Sequence, residues 1–400
     1  MSTNSQKFKL YDAPHQMEPL LPGEARRAGL LEQAHDLQRA AHQLSALCQP
    51  VALTDLRDLL RAMNSYYSNK IEGQHTLPME IEQALRQDYS ADADKARRQR
   101  LAVAHMQTES WLESAPADRA VWSADAVTGI HQHLFAQLPE ADRMLPEGDV
   151  LVPGLLRDRN VSVGIHAAPA FEAITPMLER WAGFYADVRR GELQLLGVAA
   201  SHQRLAWVHP FRDGNGRVAR LHTLSVLVHL GLSNGLWSVL RGFARSQDRY
   251  YAHLAAADEP RAGDLDGRGN LSEKALVAWI AYVLEVCSDQ VAFMTSLLDL
   301  ASMQDRIAAC LAFEHNVVKQ GVRTESLRGL HYLFATQGAL ERADFKAMLG
   351  LGDRLATAQV SALLKRGLLK SDTPYGKLRF GVPLHALRFY FPNLWPEAEG

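Results

Sequence analysis

Apolar positions recur at spacings of three or four along most of the chain. Leu30, Leu31, Ala34, Leu37 and Ala41 follow this spacing, as do Leu53, Leu56, Leu59, Leu60 and Met63. Such a stripe is what a helix needs to bury one face. Residues 30–114 therefore read as largely helical, behind an irregular arm, 1–28, with scattered Pro and Gly. The pattern breaks over 145–164. There Pro146, Gly148, Pro153, Gly154 and Gly164 punctuate two β-prone runs, Val150-Leu151-Val152 and Asn160-Val161-Ser162-Val163, which predicts a β-hairpin within a helical domain. Helices are predicted to resume over 173–190, 194–207 and 216–230, the last closed by Gly231, and then over 247–256 and 272–298.

Beyond about residue 306 the order becomes helix (325–336), short helix (341–348), a turn at Gly350-Leu351-Gly352, helix (354–366) and Gly367. Two β-prone stretches follow, 368–371 and 377–380, joined by Pro374-Tyr375-Gly376. Helix–turn–helix followed by a hairpin is a winged-helix pattern.

Composition adds exclusions. The 400 residues are 47% hydrophobic and 22% charged, with formal net charge −2. These are ordinary values for a soluble globular protein, and they give no global argument for nucleic acid or membrane. Cys48, Cys287 and Cys310 lie far apart without C-x-x-C spacing, which argues against a disulfide framework or zinc cluster and fits a reducing cytoplasm. The polar start, 1–10, lacks an apolar signal core, and no apolar run reaches ~18 residues, so no membrane span is expected. The cations Lys95, Arg97, Arg98 and Arg100 read as a solvated helix face. His202, seven residues before His209, has no third partner at metal-ligand spacing.

Chemistry concentrates in His209-Pro210-Phe211-Arg212-Asp213-Gly214-Asn215-Gly216-Arg217-Val218-Ala219-Arg220, between two apolar helices. Its glycines allow close backbone approach to a ligand, and the loop feeds a helix N-terminus, where free N–H groups attract anions. Arg217 and Arg220, three apart, share a helix face and can fork onto phosphate oxygens. Asp213 can hold Mg²⁺ bridging phosphates, and His209 can act as general base on a hydroxyl. Phe211 reads as the anchor of the loop. Together these are the parts of a phosphoryl- or nucleotidyl-transfer site.

The loop resembles the Fic family pattern H-P-F-x-[DE]-G-N-G-R-x-x-R at every defined position. The resemblance implies an all-α fold: a Fic helical core with a small β-hairpin flap, plus a C-terminal winged helix. Residues 1–115 would form an N-terminal region with an inhibitory helix, 116–300 the catalytic domain, and 301–400 the winged-helix-like domain. It further implies ATP as donor, Mg²⁺ as cofactor and a Ser, Thr or Tyr hydroxyl of a target protein as acceptor. His209 resembles the family's base and Asp213 its Mg²⁺ ligand. Gly214, Asn215 and Gly216 resemble its anion hole, and Arg217 and Arg220 its phosphate-binding arginines. Gly216, where a phosphate-transferring branch has Lys, favours AMP transfer. The stretch with Pro153, Gly154 and Arg157 is similar to the flap that pins a target as an added strand. Tyr251, in the pair Tyr250-Tyr251, resembles a tyrosine near adenine.

Upstream, Ser68-Asn69-Lys70-Ile71-Glu72-Gly73 resembles the family's inhibitory pattern [ST]-x-x-x-E-[GN], in which the Glu occupies the second arginine of the loop. That implies Ser68, Glu72 and Gly73 as an inhibitory element acting on Arg220. Read from the residues alone, the string is a helix end closed by Gly73. Three activities follow: an autoinhibited AMP-transferase, cytoplasmic, homodimeric and capable of self-modification; removal of AMP, with Glu72 orienting water; or a DNA-binding regulator with a ligand-sensing Fic domain. For the last, only Arg354, Lys365 and Arg366 on the recognition helix are cations, thin for ~6–10 phosphate contacts.

Overall fold

The computed structural model describes residues 11–46, 50–114, 120–164, 166–189, 191–233 and 235–394, leaving aside the side chains of 50–55 and 163. The polar start at 1–10, Cys48 and the expected 115/116 boundary lie outside the described residues. In chain order the elements are α1 (Ala28–Ala46), α2 (Pro50–Ile71), α3 (Pro78–Leu85), α4 (Ala93–Glu113), α5 (Ala124–Ala136), β1 (Ser162–Val163), β2 (His166–Ala167), α6 (Ile174–Ala186), α7 (Gly191–Val208), α8 (Asn215–His229), α9 (Val239–Arg245), α10 (Gln247–Asp258) and α11 (Glu273–Leu297). Then come α12 (Leu300–Phe313), α13 (Leu327–Thr336), β3 (Ala339–Leu340), α14 (Arg342–Met348), α15 (Asp353–Lys365), β4 (Leu369–Lys370), β5 (Leu378–Phe380) and α16 (Leu387–Tyr390). The chain divides into two compact units. The first is Met1–His42, Asn64–Asn234 and Ser238–Gln290; the second is Gln43–Met63, Gly235–Trp237 and Val291–Gly400.

The first unit is centred on α7, whose residues from Leu195 to Leu205 are all buried; a helix covered all round belongs in a core rather than on a surface. It packs against α6 and α8, and α4 and α5 also pack on α8. Side-chain caps set where helices begin: Asp92 accepts from Lys95 N–H at 2.9 Å for α4, and Ser123 from Ala126 N–H at 3.0 Å for α5. The arm before α1 is irregular as expected, but it is docked. Met17 is fully buried, Tyr185 donates to Leu20 O at 2.8 Å, and Arg204 to Pro19 O at 2.8 Å.

The hairpin differs from the expected one. Ser162 pairs with Ala167 and Val163 with His166, so only the second β-prone run becomes a strand. Val150 makes a lone bridge to Met144; its run is too short and too broken by glycine and proline to extend. The cluster at 95–100 is engaged rather than merely solvated: Lys95 pairs with Glu80 at 2.6 Å and Arg100 with Asp142 at 2.5 Å. Helix α11 is long and apolar enough by composition to cross a membrane, yet Leu276, Trp279, Ile280 and Leu284 are buried inside the protein. Cys287 and Cys310 are free and buried, and burial pushes both thiols up to about 12.

In the second unit, α13, α14 and α15 are followed by β4 and β5 near the expected positions. A further two-residue strand, β3, was not expected. It pairs with β5 to complete an antiparallel sheet in the order β3-β5-β4. The end of α15 is tied inward. Glu314, with a fully buried side chain, receives both Nε and Nη2 of Arg366 at 2.7 Å. Arg366→Ala is expected to leave the buried Glu314 carboxylate with only His385 Nε2, at 3.2 Å, beside it and to destabilise this unit by about 3 kcal/mol. The urea midpoint of the full chain checks this, and an unchanged midpoint would exclude it.

Candidate active site

The loop between α7 and α8 has little backbone freedom. His209 adopts φ +50°, a left-handed conformation uncommon outside glycine. Gly214, at φ +79°, caps α8, and a Cβ there would meet Phe135 Cε2 at 2.5 Å. Asn215 closes the turn by accepting from Phe211 N–H and donating to Phe211 O, both at 2.8 Å. Its side chain is thereby spent inside the loop, and its backbone N–H is what it can offer an anion. With Gly216 and Arg217, that N–H opens α8, where no earlier turn exists to bond it. The helix dipole adds positive potential at the same place.

Two side chains hold this loop from below. Arg157, expected in a flap, is 2% exposed and donates to the carbonyls of His209 at 2.8 Å, Arg159 at 2.8 Å and Pro169 at 2.5 Å. It is a strap under the loop, not part of a strand. His131 on α5, which sequence reasoning missed, stacks on Phe211 with centroids 3.9 Å apart and planes at 9°. Its Nδ1 accepts from Gly154 N–H at 2.8 Å. The signal for it in the sequence is a single histidine on an apolar helix face, which has no chemistry until the fold brings Phe211 to it.

His209 is partly buried. Burial, then His166 and Arg157, push its pKa down to about 4, against hydrogen bonding to the Ala206 backbone and the charge of Asp213. It is neutral at pH 7 and able to accept a proton. His202, seven residues earlier, is no metal ligand. It lies between Thr223 Oγ1 at 2.8 Å and Tyr250 OH at 2.9 Å.

Against the α8 N-terminus stands the end of α2. Arg220, 1% exposed, donates through Nη2 to Glu72 Oε1 at 2.6 Å and to Ser68 O at 3.1 Å, and through Nε to Ser68 Oγ at 3.1 Å. Burial would raise the Glu72 pKa, but Arg220 and Arg217 hold it below the usual carboxylate range. Gly216 leaves room for this carboxylate: a Cβ there would come within 2.5 Å of Glu72 Oε1. Glu72 thus stands where an anion on α8 would stand. Gly73, at φ +67°, ends the helix. The hydroxyl of Tyr251 donates to Ile71 O at 2.9 Å, so this tyrosine ties down the same helix end.

A cavity of about 700 Å³ runs along the loop. Glu72, His209, Gly216 and Arg220 border one part, and Tyr11, Tyr250, Tyr251 and Asp258 also line it. Asp213 and Arg217 border a second cavity of about 410 Å³, shared with Arg212 and Arg97. Asp213 is exposed, and its Oδ1 accepts from Gly214 N–H at 2.7 Å, which orients the carboxylate. Among the described residues no three His, Cys, Asp or Glu side chains cluster as metal ligands. One oriented carboxylate beside an anion-binding helix end suits a hard cation that completes its shell with phosphate and water oxygens. The donor set fits magnesium on those terms.

Residues 121–227, from just before α5 through most of α8, match the model of the Fic/DOC family. This chain carries a Fic domain, with the helical fold of Fic-family proteins. Over 119 residues, 29% of its length, it is 32% identical to Protein adenylyltransferase Fic of Nematostella vectensis, covering 26% of that protein. The protein of the same name from Drosophila grimshawi is 30% identical over 118 residues, 29% of this chain and 23% of that one. The chain therefore spans about a quarter of the length of these curated relatives. A solved Fic family protein from Desulfovibrio desulfuricans aligns with TM-score 0.51 and 17% identity, over 88% of this chain and 96% of that one. A Fic domain containing signaling protein from Bacteroides thetaiotaomicron gives TM-score 0.51 and 17% identity, over 66% and 95%. At such identity the likeness speaks for the fold.

The first unit is expected to be acid-sensitive. Burial is the main cause that lowers His105 and His202 to about 3, and His131, His209 and His222 to about 4. Unfolded, each titrates near ~6.5. Between those values the unfolded chain binds more protons, so stability present above pH ~6.5 is lost as pH falls towards 4. Asp258, pushed up to about 7 by burial, acts in the opposite sense but is a single group. Thermal melts from pH 7.5 to 4.5 should show a falling Tm; a flat profile would contradict the burial of these rings.

Proposed function

We propose that this protein transfers AMP from ATP to a Ser, Thr or Tyr hydroxyl of a target protein and is held back by Glu72. The observation that carries the reading is that a neutral His209, the open N-terminus of α8 and Arg220 border one cavity with Glu72. His209 takes the proton of the acceptor hydroxyl. The hydroxyl oxygen bonds the α-phosphorus as the bond to the bridging oxygen of the β-phosphate breaks, and pyrophosphate leaves. The N–H groups at the start of α8 hold the phosphate oxygens, and Arg217 and Arg220 hold the leaving group. Magnesium, when bound at Asp213, supplies neutralisation of phosphate charge. Tyr251, 44% exposed, lines the same cavity and provides aromatic surface for adenine.

Glu72 and the phosphate chain compete for Arg220, so the paired state is the inactive one. Removal of AMP, with Glu72 orienting water, uses the same cavity and needs Glu72 present. In the second unit, the order of α13 to α15 and the three-stranded sheet support a winged-helix domain. Arg366 on its α15–β4 corner is committed to Glu314, which leaves Arg354 and Lys365 of the three recognition-helix cations. Protein docking, including to a second copy, suits this surface better than duplex DNA. A cytoplasmic setting and self-modification belong to the same reading.

Glu72→Gly is expected to raise incorporation of labelled AMP on the order of 100-fold, the response if the pair favours the locked state by ~3 kcal/mol. Adding His209→Ala should then abolish it, a loss of ~10²–10⁴-fold. A Glu72→Gly chain no more active than the parent would remove the lock. Loss of AMP from pre-modified protein in the parent, but not in Glu72→Gly, would favour the removal reaction.

A further inference from the structure

Glu72 is not the only group that the end of α2 sends into the loop. Arg217, 3% exposed, donates through Nε to Asn69 Oδ1 at 3.0 Å and through Nη2 to Gln74 Oε1 at 2.7 Å. We propose that Asn69 and Gln74 are positioning residues that hold Arg217 ready for the phosphate chain, so that the turn which withholds Arg220 also prepares its neighbour. This rests on the AMP-transfer reading above.

The helix end brings the two amides together. Gly73 takes a left-handed conformation, φ +67°; its N–H bonds Lys70 O at 2.9 Å, and the next N–H, of Gln74, bonds Asn69 O at 2.8 Å. This is the reversal that closes a helix on glycine, and it folds residue 74 back beside residue 69. One guanidinium then meets two amide oxygens from positions five apart. Asn69 cannot present its other end, because a guanidinium only donates; its Nδ2 instead faces Ser65 Oγ at 3.5 Å.

The chemistry of the partners separates the two arginines. Arg220 faces a carboxylate, which neutralises its charge and competes directly with phosphate for it. The hydrogen-bond partners of Arg217 are neutral amides, which orient it, while the Glu72 and Asp213 carboxylates act on it only through space. A phosphate can add to these contacts at the nitrogen they leave unused, without displacing either amide. Nε and Nη2 are engaged and Nη1 has no partner of its own among the described residues. Arg217 also borders the cavity of Asp213, where a phosphate chain with its magnesium would end. The ligand so addressed is the pyrophosphate portion of the nucleotide.

The test uses the full chain with Glu72→Gly as the parent. Adding Gln74→Glu keeps the shape of the clasp but gives Arg217 a carboxylate. Tm should hold or rise while kcat for AMP transfer falls roughly 10- to 100-fold, with a weaker response to inorganic pyrophosphate as inhibitor. Adding Asn69→Ala should lower kcat over a similar range, and Asn69→Asp should lower it further. Asn69 is buried and Gln74 only half-buried, so the Gln74 variants keep the test open if an Asn69 variant fails to fold. If the amides were a second lock or mere packing, Asn69→Ala or Gln74→Ala would raise transfer or leave it unchanged, and Gln74→Glu would follow Tm; either result overturns the proposal. Should the Glu72→Gly parent transfer no AMP, the failure lies with the function. Calorimetric binding of magnesium pyrophosphate then still decides, since affinity lowered by Gln74→Glu supports the positioning role and unchanged affinity overturns it.

Discussion

Arg220 is a full positive charge with 1% exposure, and a guanidinium so placed requires an anion beside it. That requirement orders the surrounding structure. Glu72 supplies the anion here, Ser68 supplies a hydroxyl and a carbonyl, and Gly216 stays without a side chain because the carboxylate fills the space. Behind Arg220 lies a directed chain. Thr223 donates to Ala219 O at 2.9 Å, so its oxygen accepts from His202, and the other nitrogen of His202 is left to accept from the Tyr250 hydroxyl. The Tyr250 oxygen is then left facing the Arg220 guanidinium, which pulls against the rise that burial imposes on the Tyr250 hydroxyl. A site built this way is stable with a carboxylate or with a phosphate, and costly with neither.

The same economy of alternatives governs the loop. A non-glycine residue at φ +50° stores strain of about 1–3 kcal/mol and persists only where its surroundings over-determine it. Arg157 takes the His209 carbonyl, Asn215 bridges both backbone groups of Phe211, and His131 stacks on the Phe211 ring. These contacts come from α5, the segment before β1 and α8 itself. The loop is therefore rigid because three separate stretches of chain converge on it, and His209 is held in its conformation by side chains from outside the cavity.

That convergence explains what the sequence could reveal. The loop was legible because its chemistry is contiguous, and α1 and α2 because their apolar residues recur at spacings of three or four. Asn69, Gln74, His131 and Arg157 were not seen in their present roles, since each is a lone polar residue until folding brings it a partner. Asn69 and Gln74 lie roughly 145 residues from the arginine they hold. The hairpin was expected one run too early because Val150-Leu151-Val152 and the true strand β1 have similar propensity, and pairing, not propensity, decides between short strands. Strand β3 is two residues long, below what any pattern can signal.

The end of α2 is attached to the rest of the first unit by contacts that do not involve the Glu72 carboxylate. Arg220 bonds Ser68, Arg217 bonds Asn69 and Gln74, and Ile71 O receives Tyr251 at 2.9 Å and Gln247 at 3.2 Å. The last turn of a helix has carbonyls to satisfy, and here the side chains of α10 satisfy them. Glu72, by contrast, is 29% exposed and borders the large cavity. Moving its carboxylate off Arg220 needs a side-chain rotation and a replacement anion, while the helix end can stay docked. Departure of the whole helix end would break every contact just named and strip Arg217 of both partners. On the proposed function, the physical chemistry therefore favours release at the Glu72 carboxylate alone, by an incoming anion with greater charge than Glu72 carries.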